Sequence, residues 1–383
     1  MVAFPPTTLC VKQGAIGGSL DFYGTTRADL VDFCKQHGRP PIHAQTLFRA
    51  AYCEQWQSPW LSDEIPANLR EAGLAVDQPH DVTISEVKIS RYDHSAKFIL
   101  RLHDGKEIEA VLMPEEGRIT LCVSSQVGCR QGCRFCQTGR MGLIRNLEPS
   151  EIVNQVLIAN RWMRETNHLA ERPELNAPDY VTNIVFMGMG EPLDNLDAVV
   201  KAIEIVTDPY GLQMAIRKIT VSTAGHLEGL RELFVRLPQA CVALSLHTPF
   251  EDERSKLLPI NRKWPLADLV AELKNHYPAN KRRALFVQYT VLKGVNDSPA
   301  HATEILRVLD GVRCKINLIP YNDTGIGSFN SPSAEDLQSF RDLLHHAGMR
   351  TMVRFSKGQD VNAACGQLVR KRAQRPIASE HTV

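Results

Sequence analysis

The sequence predicts an α/β fold: a partial or closed parallel (β/α) barrel, preceded by a small N-terminal helical accessory domain and a β-hairpin linker. Three stretches of distinct hydrophobic period carry that reading. Apolar residues recur at spacings of three and four over residues 24–75, then alternate over 82–113. From about residue 119 they fall into strand-like runs separated by helix-like segments.

The first stretch holds the candidate helices RADLVDFCKQHG, IHAQTLFRAAYCEQW and SDEIPANLREAGL, with Gly38 and Gly73 placed to end helices. The second, VTISEVKISRYDHSAKFILRLHDGKEIEAVLM, reads as strands with a turn at Asp104 and Gly105. In the third, the strand-like runs are ITLCVSS, NIVFM, KITVS, VALSL, LFVQYTVL, KINLIP and TMVRF. The helices between them include SEIVNQVLIANRWMRE, NLDAVVKAIEIV, PLADLVAELKNH, HATEILRVL and AEDLQSFRDLLHH. Repeated βα units imply a parallel sheet covered by helices, with the chemistry in loops at the carboxyl ends of the strands. The chain accordingly divides into an accessory domain (1–80), a linker (81–114), a core (115–360) and a C-terminal segment (361–383).

Composition narrows the function. Hydrophobic residues make up 43% and charged residues 23%, as in ordinary soluble proteins. No apolar run approaches the roughly 20 residues that cross a bilayer, so no membrane partner is expected. The N-terminus lacks a basic stretch followed by a long apolar one, which makes the cytoplasm the expected compartment. A net charge of +1 does not announce a nucleic-acid partner. Basic residues do cluster locally, at Arg130, Arg134, Arg140 and Arg145, at Lys281, Arg282 and Arg283, and at Arg370, Lys371, Arg372 and Arg375. A solvated surface is the ordinary explanation for such runs.

Four of the ten cysteines fall within fifteen residues, which reads as a metal or redox site rather than a disulfide framework. Cys129, Cys133 and Cys136 stand at C-x3-C-x2-C spacing just after the first strand of the alternating region. Three thiolates can hold three irons of a cubane and leave the fourth open. Gly128, Gly132 and Gly139 allow a close wrap around such a group, and Phe135 can shield it from water. A structural zinc needs four ligands, usually from paired C-x2-C knuckles, and no second pair lies nearby. Cys10, Cys34, Cys53, Cys241 and Cys314 read as structural.

The cysteine spacing after the first strand of a βα array resembles the radical S-adenosylmethionine (SAM) superfamily. The phrases LCVSSQVGC, MGMGEPL and NAACGQL are similar to the RlmN/Cfr family of RNA adenine methyltransferases, over roughly residues 25–370. The resemblance implies a barrel of the radical SAM type and a [4Fe–4S] cluster on Cys129, Cys133 and Cys136 that cleaves SAM to a 5′-deoxyadenosyl radical. It places SAM against Gly190 and Glu191, Ser222, the Ser245–Leu246–His247 segment, and Asn322. Gly188 and Gly190 leave room for backbone to approach a ligand, and the Glu191 carboxylate suits the SAM ammonium. For His247, a satisfied buried histidine outweighs a direct chemical role.

Adenine carbons 2 and 8 are not nucleophilic, so displacement on SAM alone does not methylate them. The resemblance implies that Cys365 carries the methyl group, that Glu109 removes the proton from the attacked carbon, and that Cys122 releases the product as a Cys122–Cys365 disulfide. The implied substrate is large-subunit ribosomal RNA or tRNA, methylated at carbon 2, with carbon 8 as the alternative. An electron donor such as flavodoxin and a monomeric enzyme complete the expectation. A non-catalytic RNA-binding or assembly protein is the reading from another class, and it has no need of Glu109, Cys122 and Cys365 together.

Overall fold

The computed structural model describes residues 20–54, 58–170, 172–277, 284–323 and 329–368. Cys10, the Lys281–Arg283 run and the basic tail from Arg370 lie outside the described residues.

Three helices open the described chain: α1 (Arg27–Gln36), α2 (Ile42–Tyr52) and α3 (Ala67–Val76). Thr26 starts α1 through a reciprocal cap, its hydroxyl accepting from Asp29 N–H and its own N–H donating to the Asp29 carboxylate. Gly38 follows α1 at φ +66°, as expected of a helix end. Gly73 corrects the sequence reading, because it lies inside α3. The Trp60 indole fills the space a side chain would need, only 2.3 Å from the Cβ position. Trp60, Phe22, Phe33 and Phe48 belong to one hydrophobic cluster that continues unbroken into the barrel core. An ion pair between Arg27 and Asp208, at 2.8 Å, adds to the docking.

The linker forms an antiparallel meander of β1 (Thr83–Ile89), β2 (Ala96–Arg101), β3 (Glu107–Glu115) and β4 (Arg118–Cys122). The turn between β2 and β3 sits at Asp104 and Gly105 as expected, with Gly105 at φ +76°. A separate hairpin of β5 (Gln126–Cys129) and β6 (Gly142–Asn146) encloses the short helix α4 (Gln137–Met141). The sequence pattern gave one run, ITLCVSS, covering β4 and the turn after it, and did not mark this hairpin. After α5 (Pro149–Thr166) the βα alternation is regular: β7 (Asn183–Phe186), α6 (Leu196–Thr207), β8 (Ile219–Thr223), α7 (Leu227–Arg236) and β9 (Cys241–Ser245). Then come α8 (Glu251–Leu257), α9 (Leu266–His276), β10 (Leu285–Val291), α10 (Pro299–Val308), β11 (Cys314–Pro320), α11 (Ala334–His346) and β12 (Thr351–Val353).

One ten-stranded sheet runs in the order β1-β2-β3-β4-β7-β8-β9-β10-β11-β12, parallel from β4 onward. Its two edges, β1 and β12, do not pair, so of the two expected forms the barrel is the partial one. Beyond β12 the chain doubles back and is latched to the β1–β2 turn. Gly358 N–H donates to the Asp93 carboxylate at 2.9 Å, and Arg91 N–H to Asp360 at 3.0 Å. Strand alternation turns Asn183, Ser222, Gln288 and Asn317 into the lumen. Their neighbours Ile184, Val221, Val287 and Leu318 are buried under the helices.

Candidate active site

The loop between β5 and α4 is held at three points. Arg134 N–H donates to Leu257 O at 3.0 Å, Gln137 N–H to Gly366 O at 2.8 Å, and Thr138 Oγ1 to Leu368 O at 2.6 Å. Thus α8 on one side and the C-terminal segment on the other shape the cysteine loop. Cys129, Cys133 and Cys136 all line one cavity of about 160 Å³ at the carboxyl ends of the parallel strands. Burial pushes the Cys129 thiol up to about 12 and those of Cys133 and Cys136 upward, and the neighbouring thiols push in the same direction. The Arg254 guanidinium opposes this at Cys133. Three thiols lining one cavity, with burial opposing their ionisation, favour a cationic group between them. Gly139 packs so tightly on this loop that a Cβ there would stand 3.0 Å from Cys133 N. As they are placed, no three His, Cys, Asp or Glu side chains among the described residues, these cysteines included, stand close enough to hold a single metal ion. Three thiolates at C-x3-C-x2-C spacing are the donor set of an iron–sulfur cluster with one open iron.

The same cavity is lined by Gly190, Glu191, Ser222, Ser245 and His247, so five of the expected SAM residues share it with the three cysteines. Glu191 is buried and braces two strand ends, accepting from Ala224 N–H at 2.8 Å and Leu193 N–H at 3.2 Å. Burial first of all pushes its carboxyl up to about 7. Gly190 has φ +106°, and a Cβ there would sit 2.7 Å from the Gln126 side chain. Its missing side chain accommodates the β4–β5 loop, rather than only a ligand as the sequence suggested. Gly188 does likewise, 2.6 Å from Val123 O. His247 accepts a hydrogen bond at Nδ1 from Thr290 N–H, at 2.9 Å. Burial and then Arg254 lower its imidazole to about 3, so the ring is neutral and carries its proton on Nε2. Leu246 is fully buried and contributes its backbone, the carbonyl accepting from Arg254. Asn322 does not itself line the cavity, although its neighbour Tyr321 does; its amide donates to Ser356 Oγ at 2.8 Å and to Cys365 O at 3.3 Å, holding the C-terminal segment.

Of the other three expected residues, Glu109 and Cys122 stand on one wall of the sheet, and Cys365 comes to it from the C-terminal segment. Cys122 on β4 stands opposite Val111 on β3, which stands opposite Lys97 on β2; Glu109 is two residues from Val111 on the same face. Cys122 and Cys365 line a common cavity of about 60 Å³, and Cys365 also lines the cysteine-loop cavity. Burial pushes the Cys122 thiol up to about 12, Cys365 adding to the rise and Arg354 opposing it. Both cysteines are free.

Sequence reasoning missed several groups. Arg254 is fully buried behind the cavity that the cysteines share with the expected SAM residues, and a lone arginine on a helix gives no sign of that. Lys97 pairs with Glu109 at 2.8 Å, a meeting set by the β2–β3 register, which alternation within each strand does not give. At the amino ends of the parallel strands a third cavity, of about 470 Å³, is lined by Arg118, Arg217, Lys218, Lys315 and Arg354 with Glu115 as its carboxylate. Apart from the adjacent Arg217 and Lys218, these cations come from separate parts of the chain, so no basic run announced them. Conversely, Arg145 of the expected basic cluster is engaged with Asp104 and Glu151 at 2.7–2.8 Å. Of the cysteines read as structural, Cys34 and Cys314 are buried and Cys53 is exposed.

Residues 123–305 match the radical SAM superfamily. A dual-specificity RNA methyltransferase RlmN from Desulfotalea psychrophila is 39% identical over 91% of this chain and 94% of its own length. The protein of the same name from Lawsonia intracellularis is 42% identical over 80% of this chain and 83% of its own. The crystal structure of a radical SAM methyltransferase from Sphaerobacter thermophilus superposes with a TM-score of 0.81, at 37% identity, covering 91% of this chain and 99% of that one. With this likeness over nine-tenths of its length, and with three cysteines gathered at the carboxyl ends of a partial parallel barrel, the chain belongs to the RlmN family of radical SAM RNA methyltransferases.

Proposed function

We propose that the chain methylates carbon 2 of an adenosine in large-subunit ribosomal RNA or tRNA, with Cys365 as the methyl carrier. The observation that carries this reading is the meeting of two thiols, Cys122 and Cys365, in one cavity beside the wall that bears Glu109. A cluster on Cys129, Cys133 and Cys136, together with SAM, supplies when bound the methyl group, the radical that activates it and the acceptor for the returning electron. Gly190, Glu191, Ser222, Ser245 and His247 hold the cosubstrate beside those cysteines. Electron transfer from a donor such as flavodoxin belongs to the same reading.

The chain's own residues divide the remaining work. The Cys365 sulfur presents the methyl carbon to the adenine ring and stays joined to it through that carbon. Glu109 takes the ring proton onto its carboxylate. The Cys122 sulfur then bonds to the Cys365 sulfur as the Cys365–carbon bond breaks; its proton ends on the released methyl group and a disulfide remains. The basic cavity at the amino ends of the strands supports an RNA approach from that side. It shares Val185, Met187 and Arg354 with the cavity of Cys122 and Cys365, and phosphates are held by such cations. Mass spectrometry of nucleosides from RNA incubated with reconstituted chain, SAM and reductant tests this. 2-Methyladenosine is the expected product; 8-methyladenosine moves the assignment to the other carbon, and no methylated adenosine overturns it.

A further inference from the structure

Glu109 is only 3% exposed, and the cation that neutralises it, Lys97, is 4% exposed. Lys97 Nζ lies 2.8 Å from Glu109 Oε1 and donates to the Asn362 carbonyl at 2.9 Å. One ammonium thus bridges the carboxylate on β3 and the backbone of the C-terminal segment, three residues before Cys365. The segment is fixed there by its own turn, with Asn362 at φ +53°, and by the contact of Gly358 with Asp93. A buried carboxylate without a cation shifts to its neutral form, and a neutral Glu109 cannot take a proton from an adenine carbon.

We propose that Lys97 is a positioning residue for the release half of the reaction. It keeps Glu109 ionised and ties that carboxylate to the strand of chain that delivers Cys365, so that base and methyl carrier are set in register by one side chain. The inference rests on the roles proposed above for Glu109 and Cys365. The competing role is a latch that only docks the C-terminal segment. A latch mutant would mis-seat Cys365 and lose the first step, whereas loss of the base partner stalls the reaction after Cys365 has joined the RNA.

The test uses reconstituted full-length chain with RNA and SAM, comparing Lys97→Met and Lys97→Arg with Glu109→Gln. Two readouts are taken: the mass of the Cys365 peptide, for its methyl group, and a denaturing gel, for protein covalently joined to RNA. Lys97→Met should keep a methylated Cys365, accumulate the covalent band and lose turnover about 100-fold or more. Lys97→Arg, which keeps the charge, should recover most of that turnover. Turnover by Lys97→Met within a few-fold of the parent chain, while Glu109→Gln accumulates the band, overturns the inference. An unmethylated Cys365 with no band in a folded Lys97→Met chain also overturns it, in favour of the latch. If Glu109→Gln accumulates no band, the role of Glu109 itself falls and takes the inference with it. Should Lys97→Met not fold, Lys97→Gln is read by the same criteria.

Discussion

Replacing Arg254 by Met should loosen the cavity proposed to hold SAM from behind without replacing any residue that lines it. The guanidinium on α8 is fully buried and donates to Ala224 O at 2.7 Å, Ser245 O at 3.0 Å, Leu246 O at 3.3 Å and Asn261 Oδ1 at 2.5 Å. Its partners are the carbonyl ends of β8 and β9 and the amide that leads, through Asn261 Nδ2 at 2.7 Å, to the Glu251 carboxylate. Each buried acceptor left without a donor costs about 1–3 kcal/mol. The costs are not additive, and removing a buried charge returns part of its desolvation penalty. A net loss of about 3–5 kcal/mol is therefore expected. Urea denaturation of the cluster-free chain measures it, and equilibrium binding of SAM to the reconstituted chain should weaken in parallel, because Ala224 and Ser245 border the cavity. Lys at the same position reaches fewer carbonyls than the planar fork and should fall between. A Met variant within 1 kcal/mol of the parent, with SAM affinity unchanged, would refute the bracing role.

Two further outcomes follow from the same geometry. The Glu191 carboxyl is raised from 4.5 to about 7 in the fold, so its contribution to stability is complete below its unfolded value and is lost as pH rises through 7. That shift corresponds to about 3 kcal/mol; between pH 5 and pH 8 the ligand-free chain should lose this much more stability than Glu191→Gln, and parallel urea curves would contradict it. The Gln variant should also bind SAM more weakly while keeping its iron, since the role proposed for the charged carboxylate is to meet the ammonium. Gly73→Ala should destabilise the chain by about 1–3 kcal/mol through overpacking against Trp60, leaving SAM affinity unchanged; an unaltered denaturation midpoint would show that the indole yields.

Much of this architecture was legible in the sequence because it is written in local patterns. The alternation of strand-like and helix-like runs gave the parallel strands in order, and each of the five helices named between those strands is present within two residues, whereas α2 ends four residues earlier and α3 starts five residues later than the pattern suggested. Cys129, Cys133 and Cys136 were found because a loop ligand set is close in sequence. What was not legible depends on register and on return of the chain. Gly73 has the look of a helix end, but a tryptophan thirteen residues earlier decides its role. Asn322 ends a strand as expected, yet the C-terminal segment folds back and claims its amide. The basic mouth of the barrel collects cations from β4, β11 and the approaches to β8 and beyond β12. In the sequence they are one adjacent pair, Arg217 and Lys218, and three single residues in separate neighbourhoods, which only the curvature of the sheet brings together.

The central claim is that Cys122 and Cys365 act in sequence on one RNA-bound carbon, and Cys122→Ala tests it most directly. The reconstituted variant, given SAM, reductant and RNA, should still join Cys365 to the base and then stop. A protein–RNA band that survives denaturation should appear, and nuclease digestion should leave a methylene-bridged adenosine on the Cys365 peptide. Cys365→Ala, run beside it, should give neither band nor product. Free methylated RNA released by Cys122→Ala at the parent rate would contradict the account.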